Sequence, residues 1–567
     1  MRHGLLTLGI GFAVFLFSLT GYSQKSEKPR FCQNATTLFT NATFITLNPK
    51  QPLAKAVAVS KQRLVAVGDK ETLMKQCRGK NTQVIDLKNA VVVPGFIDTH
   101  SRFILYGWLF EHALDLSTTN VFQHPDWREI KTTEAFLDAL KNREANADGW
   151  LIVNGYDPLR MQGAGLSKSI LDNLYNNVPV LVFYSSGNQI LANQEAIKKI
   201  ATLSHAKQIS IDSNGIIRDK SFQLLLTDLI NKEAAIHAIQ IAAQQYAQQG
   251  YTTATEAMVN PAWVPLYEQL TMQSAFPVDI ILTPNTLAEK KQMDLIYQDN
   301  PRLYAGAWLI QVDGAAQDRE AFFTFPYLQS MAHPNTSWPE NLKKTPRELD
   351  KMLATARKEK VAVALECNGD AAVDLTLNLI NKTQLISSPT PLRAIIINAP
   401  YVRIDQIQRM QQLGVKVSWF APHFYFWHSS LCNLLMKPHQ NYPGLFLASA
   451  KEIMKNLSVQ ANAPSTPPIP LQIMRQITSG QAQNWLSKEE PCTQGASSEK
   501  ITLPEALSAF TFDAALVYGL GSDKGSIESG KLADMTILSG NPLQANSLQD
   551  IKVLGTISRG ILRLNSP

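Results

Sequence analysis

Val91-Val92-Val93-Pro94-Gly95-Phe96-Ile97-Asp98-Thr99-His100 is the stretch on which the fold turns. Its apolar run from Val91 to Ile97 reads as a strand buried on both faces, and it leads into an imidazole at His100. Similar apolar runs follow along the middle of the chain: Val178 to Tyr184, Thr252 to Glu256, Val278 to Leu282, Ala307 to Val312, Val361 to Glu366, Ala394 to Ile397 and Val415 to Phe420. Amphipathic stretches such as Lys232 to Gln249 and Leu349 to Lys358 separate them, which calls for a parallel sheet covered by helices. A chain of 567 residues exceeds one minimal core, and this length favours a closed (β/α)8 barrel with at least one smaller domain.

In such a barrel, reactive groups sit at the C-terminal ends of the strands. The polar residues that end the apolar runs are His100, Asn188, Glu256, Asp313, Glu366, Asn398 and His423. Both ends of the chain read instead as short alternating strands, Thr37 to Val93 with a turn at Gly68 and Asp69, and Lys531 to Leu564 after a helix beyond Leu503.

Composition narrows the functional classes. Hydrophobic residues make up 45% and charged residues 18%, as in an ordinary folded protein. The formal charge of +6 is spread without blocks of like charge, so nucleic acid is set aside as a partner. Met1, Arg2 and His3 precede an apolar run from Leu5 to Leu19 that is short for a membrane span, and Gly21 and Ser23 offer cleavage before Gln24. Residues 1–23 are therefore expected to be a signal peptide, and the mature protein to be periplasmic or secreted with no membrane segment. In an oxidising compartment, Cys32 with Cys77 and Cys432 with Cys492 are pairs that fall within one region of the chain, which leaves Cys367 in an apolar run.

Five segments, in order along the chain, resemble the amidohydrolase superfamily, and within it the branch of N-substituted formamide deformylases and exoenzyme-like amidohydrolases. They are Pro94 to His100, Gly369-Asp370-Ala371-Ala372-Val373-Asp374, Trp419 to Trp427, Ala463 to Pro468, and Lys524-Gly525-Ser526-Ile527-Glu528-Ser529-Gly530-Lys531-Leu532-Ala533-Asp534. The resemblance implies a (β/α)8 barrel over residues 94–506 and a small composite β-sandwich from residues 24–93 and 507–567. It also implies hydrolysis of a non-peptide C–N bond in a small amide by metal-bound hydroxide, since a metal lowers the pKa of its water.

The ligand set that this chemistry needs is altered here. Where the family has two histidines at the end of the first strand, this chain has His100-Ser101-Arg102, and a guanidinium repels a cation. The family's lysine matches Leu309, its two later histidines match Glu366 and Asn398, and its catalytic aspartate matches Asn462, which cannot serve as a base. A Gly-His pair becomes Gly187-Asn188, whereas Asn193 and His423 agree with the family. The resemblance thus assigns His100, Glu366, His423 and Asn462 to the catalytic positions. Arg102, Asn188, Asn398 and Trp427 are assigned to ligand binding, with the aromatics around His423 walling a pocket for an apolar substituent. His428 and His439 read as surface residues.

No cofactor is expected. A single zinc held by His100 and Glu366 with Asp219 is the variant left open. Arg102 either pairs with Glu366 or clamps a carboxylate. Two functions stay open: a hydrolase of small amides, and a binding or scaffold protein that keeps a small-molecule ligand in the barrel mouth. A homo-oligomer is compatible with both.

Overall fold

The computed structural model describes Cys32, residues 35–296, 300–324, Tyr327, 342–385, 391–431, 444–481, Gln483, 499–544 and 548–565. Residues 1–23, Cys432, Cys492 and His439, on which expectations were placed above, lie outside the described residues.

Among the described residues, eight strand positions form the barrel; numbering these alone, they are β1 (Phe96–Ile97), β2 (Tyr251–Ala257), β3 (Asp279–Thr283), β4 (Leu303–Ala305, continuing as Trp308–Gln311), β5 (Val363–Cys367), β6 (Ala394–Asn398), β7 (Lys416–Trp419) and β8 (Ser458–Val459). Each pairs in parallel with the next. The ring closes beyond the strand ends, where Asn462 N–H donates to the His100 carbonyl at 3.0 Å and Arg102 N–H to that of Ala463 at 2.8 Å. β4 is interrupted at Gly306, where a side chain would collide with Thr283 and the Leu282 carbonyl. That break splits an apolar run that would otherwise read as one strand.

Helices cover the strands because their apolar faces recur at helical spacing and their ends are capped. Asn231 caps Lys232–Gln248, and Thr345 with Glu348 forms a capping box on Pro346–Lys358. Lys232–Gln248 packs on Phe103–His112 closely enough that a Cβ on Gly107 would strike the carbonyl oxygen of Ala238.

One strand expected in the barrel is elsewhere. Val180–Tyr184 belongs to a separate five-stranded sheet spanning residues 113–218, inserted between β1 and β2. It was indistinguishable from a barrel strand because it is buried to the same degree and also pairs in parallel with a neighbour, Leu151–Tyr156. Gly68 ends the strand Arg63–Gly68, and Asp69 caps the helix Lys70–Cys77 that follows.

The two chain ends share one eight-stranded sheet, in which Gln83–Pro94 lies between Thr37–Ile45 and the C-terminal strand Met535–Leu538. A buried charge cluster ties this sheet to the barrel. Asp279 on β3 meets Lys524 at 2.7 Å, Arg559 at 2.6 Å and Arg302 at 3.3 Å. Burial raises the Asp279 pKa, but these three cations outweigh it and hold the carboxyl below its usual value. Cys32 and Cys77 are disulfide-bonded with Cα atoms 4.7 Å apart, and Cys367 is a buried free thiol.

Candidate functional site

The C-terminal strand ends converge on a cavity of about 20 Å³ lined by His100, Arg102, Ser186, Gly187, Asn188, Gln317, Glu366, Asn368, Asn398, Phe420, His423, Asn462 and Ser465, among others. A second cavity of similar size, about 20 Å³, lies beside it and shares Arg102, Asn188 and Glu366 in its lining. The guanidinium therefore forms part of the partition between two spaces that each hold about one water molecule.

His100 lies three residues beyond β1 and is buried, and its Nδ1 has no hydrogen-bond partner. Burial first, and then the charge of Arg102, presses its pKa down to about 3, so the ring is neutral near pH 7. Two residues on, Arg102 opens the helix Phe103–His112. Its Nη1 donates to the Gly187 carbonyl at 2.5 Å, and its Nη2 donates to Asn188 Oδ1 at 2.7 Å and to Met258 Sδ at 3.4 Å. The Phe222 ring lies 5.5 Å from the guanidinium carbon. Burial lowers the Arg102 pKa, while the charges of Glu366 and Glu256 work against that.

Asn398 is the hub of the opposite wall. Its φ of 76° puts it in the left-handed region, which asparagine tolerates better than most residues. Its Nδ2 donates to Glu366 Oε1 and to Asn368 Oδ1, both at 3.1 Å, and its Oδ1 accepts from Gln460 at 2.6 Å and from Asn462 at 3.4 Å. Glu366 on β5 also accepts from Gln311 at 3.3 Å, and its pKa is raised by burial in spite of Arg102. Asp313, beyond β4, accepts backbone N–H groups from Asn368, Gly369 and Phe322 at 2.8–2.9 Å; burial still raises its pKa to about 7. This carboxyl pins two mouth loops together.

His423 stands in the first turn of Ala421–Leu431, with Nε2 bonded to Gln317 Oε1 at 2.8 Å and Nδ1 without a partner. Burial, and secondarily His428, lower its pKa to about 3.

The structure thus brings His100, Arg102, Asn188, Glu366, Asn398, His423 and Asn462 to one cavity, and corrects several finer expectations. Trp427 is absent from the lining; it is fully buried and donates to Asp157 at 2.7 Å. The aromatic wall is likewise absent, because the helix turns Phe424, Phe426 and Trp427 into the core and leaves Phe420 and His423 to face a polar mouth. His428 is buried against the Phe424 ring rather than on the surface. Arg102 and Glu366 form no direct ion pair; each has its own uncharged partners. Asp219 lines only the second cavity and pairs with Lys343 at 2.9 Å, so it does not join His100. Leu309 packs with Ala257, Ala364, Ile395 and Ile397.

Gln317 and Asn368 escaped the strand-end reading. Gln317 lies in a short turn after Asp313, and Asn368 directly follows β5, next to the Gly369-Asp370 pair that was noticed. Among the described residues, no three His, Cys, Asp or Glu side chains are grouped so that they could hold a metal ion.

The profile of the amidohydrolase family matches residues 83–456 and 467–562. The chain belongs to the amidohydrolase family. Within it, this member is 23% identical over 563 residues to the N-substituted formamide deformylase of Arthrobacter pascens, covering 92% of this chain and 97% of that protein. It is 24% identical over 565 residues to protein LONG AFTER FAR-RED 3 of Arabidopsis thaliana, covering 94% and 92%. Among solved structures, an uncharacterized metal-dependent hydrolase from Pyrococcus horikoshii superposes with a TM-score of 0.69 at 20% identity, over 91% of this chain and 99% of that one. That likeness bears on the fold, and agrees with the barrel traced above.

Proposed function

We propose that this family member keeps the barrel mouth as a recognition site for a small amide and has lost the metal-dependent route of hydrolysis. Family membership and the likeness to a formamide deformylase support the broader class, hydrolases of C–N bonds. The observation that carries the narrower reading is Arg102. A permanent cation stands two residues after His100 and lines the cavity where a metal would need ligands. His100 and Glu366 remain competent ligands, but Asn398 and Asn462 are amides, and Leu309 is aliphatic. The residues present do not fit a bound metal.

What remains suits an amide. The neutral imidazole of His100 lines the mouth beside the amides of Asn398, Asn462 and Gln317, which are acceptors and donors at fixed positions. We further infer that the protein is exported and that the shared terminal sheet is a small composite domain; the Cys32–Cys77 disulfide supports the first.

The second reading, a remodelled metallohydrolase, is favoured by the presence of both His100 and Glu366 in one cavity. Elemental analysis of the mature protein, purified without chelator and then incubated with excess zinc, separates the two. The proposal expects less than a tenth of an equivalent of zinc, iron or manganese. A near-stoichiometric metal that disappears in His100→Ala or Glu366→Gln would establish the metallohydrolase instead.

A further inference from the structure

Arg102 is a half-buried cation whose hydrogen-bond partners among the described residues are all uncharged: a carbonyl, an amide oxygen and a thioether. Taking a guanidinium out of water is costly unless an anion compensates it. The carboxylates of the mouth do not supply that contact, because each is held by other donors. Glu256 accepts Ile104 N–H at 2.7 Å and the Tyr267 hydroxyl at 2.5 Å. Glu366 is taken by Gln311 and Asn398, and Asp313 by three backbone N–H groups. The guanidinium has five N–H donors, and the three contacts above use only Nη1 and Nη2. Among the described residues the Nε–H has no hydrogen-bond partner, and Arg102 lines both cavities.

We propose that Arg102 is the specificity group of the mouth and that the ligand bears a carboxylate as well as an amide, as an N-acyl amino acid does. The carboxylate pairs with the fork of Arg102, displacing the contacts to Gly187 and Asn188. Turning the guanidinium toward it joins the two small cavities into one space. The amide then lies against His100, Asn398 and Asn462. This inference rests on the amide-binding reading above and adds the charge.

The test uses two probes of nearly equal shape, N-acetylglycine and its neutral carboxamide, N-acetylglycinamide. Each is titrated calorimetrically into the full mature protein and into Arg102→Met and Arg102→Lys, with melting curves to establish folding. The expected result is that wild type binds the carboxylate at least about tenfold tighter than the carboxamide, the strength of one charge-assisted pair. Arg102→Met should abolish that preference while still binding the carboxamide, and Arg102→Lys should keep part of it. Equal binding of both probes by wild type, or a preference that survives in Arg102→Met, would overturn the carboxylate inference and leave amide binding standing. Binding of neither probe at millimolar concentration would overturn both.

Discussion

His423 shows how a single mouth residue couples charge to stability. Its folded pKa is depressed to about 3, whereas an unfolded histidine titrates near 6.5. A depressed histidine contributes stability that is present above pH 6.5 and is lost as the pH falls from there toward 3, because the unfolded chain takes up a proton that the folded one refuses. His423→Gln should therefore flatten the decline of unfolding free energy between pH 6 and pH 4.5 by about 1.4 kcal/mol per pH unit, read from urea titrations at several pH values. An unchanged slope would mean that the ring is solvated. At this scale the strand-end rule located five residues of one cavity, His100, Asn188, Glu366, Asn398 and His423, and the family resemblance added Arg102 and Asn462. The resemblance misplaced Trp427, where a helix takes over and its period sends the indole into the core, and neither reading found Gln317, which follows no strand.

Among the elements, β3 has the most telling anchorage. Asp279 carries three cations from two parts of the chain, with Lys524 and Arg559 from the C-terminal segment and Arg302 from the segment leading into β4. Asp279→Asn keeps the shape but leaves those cations without their shared anion, and a broken buried pair costs about 3–5 kcal/mol. The midpoint of urea unfolding should fall accordingly, whereas the exposed Lys198→Ala, which removes a surface pair with Glu195, should shift it by less than about 1 kcal/mol. The charges of this cluster gave no hint in the sequence, since two of the three cations lie 245 and 280 residues from Asp279. Strands and helices were legible where apolar period and length agreed, as in Lys232–Gln248. The inserted sheet around Val180–Tyr184 was not, because burial and an apolar run look the same in any parallel sheet.

Across the whole molecule, the disulfide closes a loop with a sequence separation of 45, for which chain-entropy arguments give about 4 kcal/mol. Cys77→Ser should lower unfolding free energy by roughly that amount, and the same loss should follow from unfolding wild type in reductant; a stability indifferent to reductant would show that the pair is unbonded in solution. The same terminal region has a consequence for how the chain acquires its structure. Gln83–Pro94 is made early, but its antiparallel neighbour Met535–Leu538 is among the last segments to be synthesised. For the duration of translation between them, an apolar strand edge has no native mate and is exposed to strangers. The nascent protein is thus committed to a long wait with its earliest sheet half-built, until the last strands emerge to close that edge.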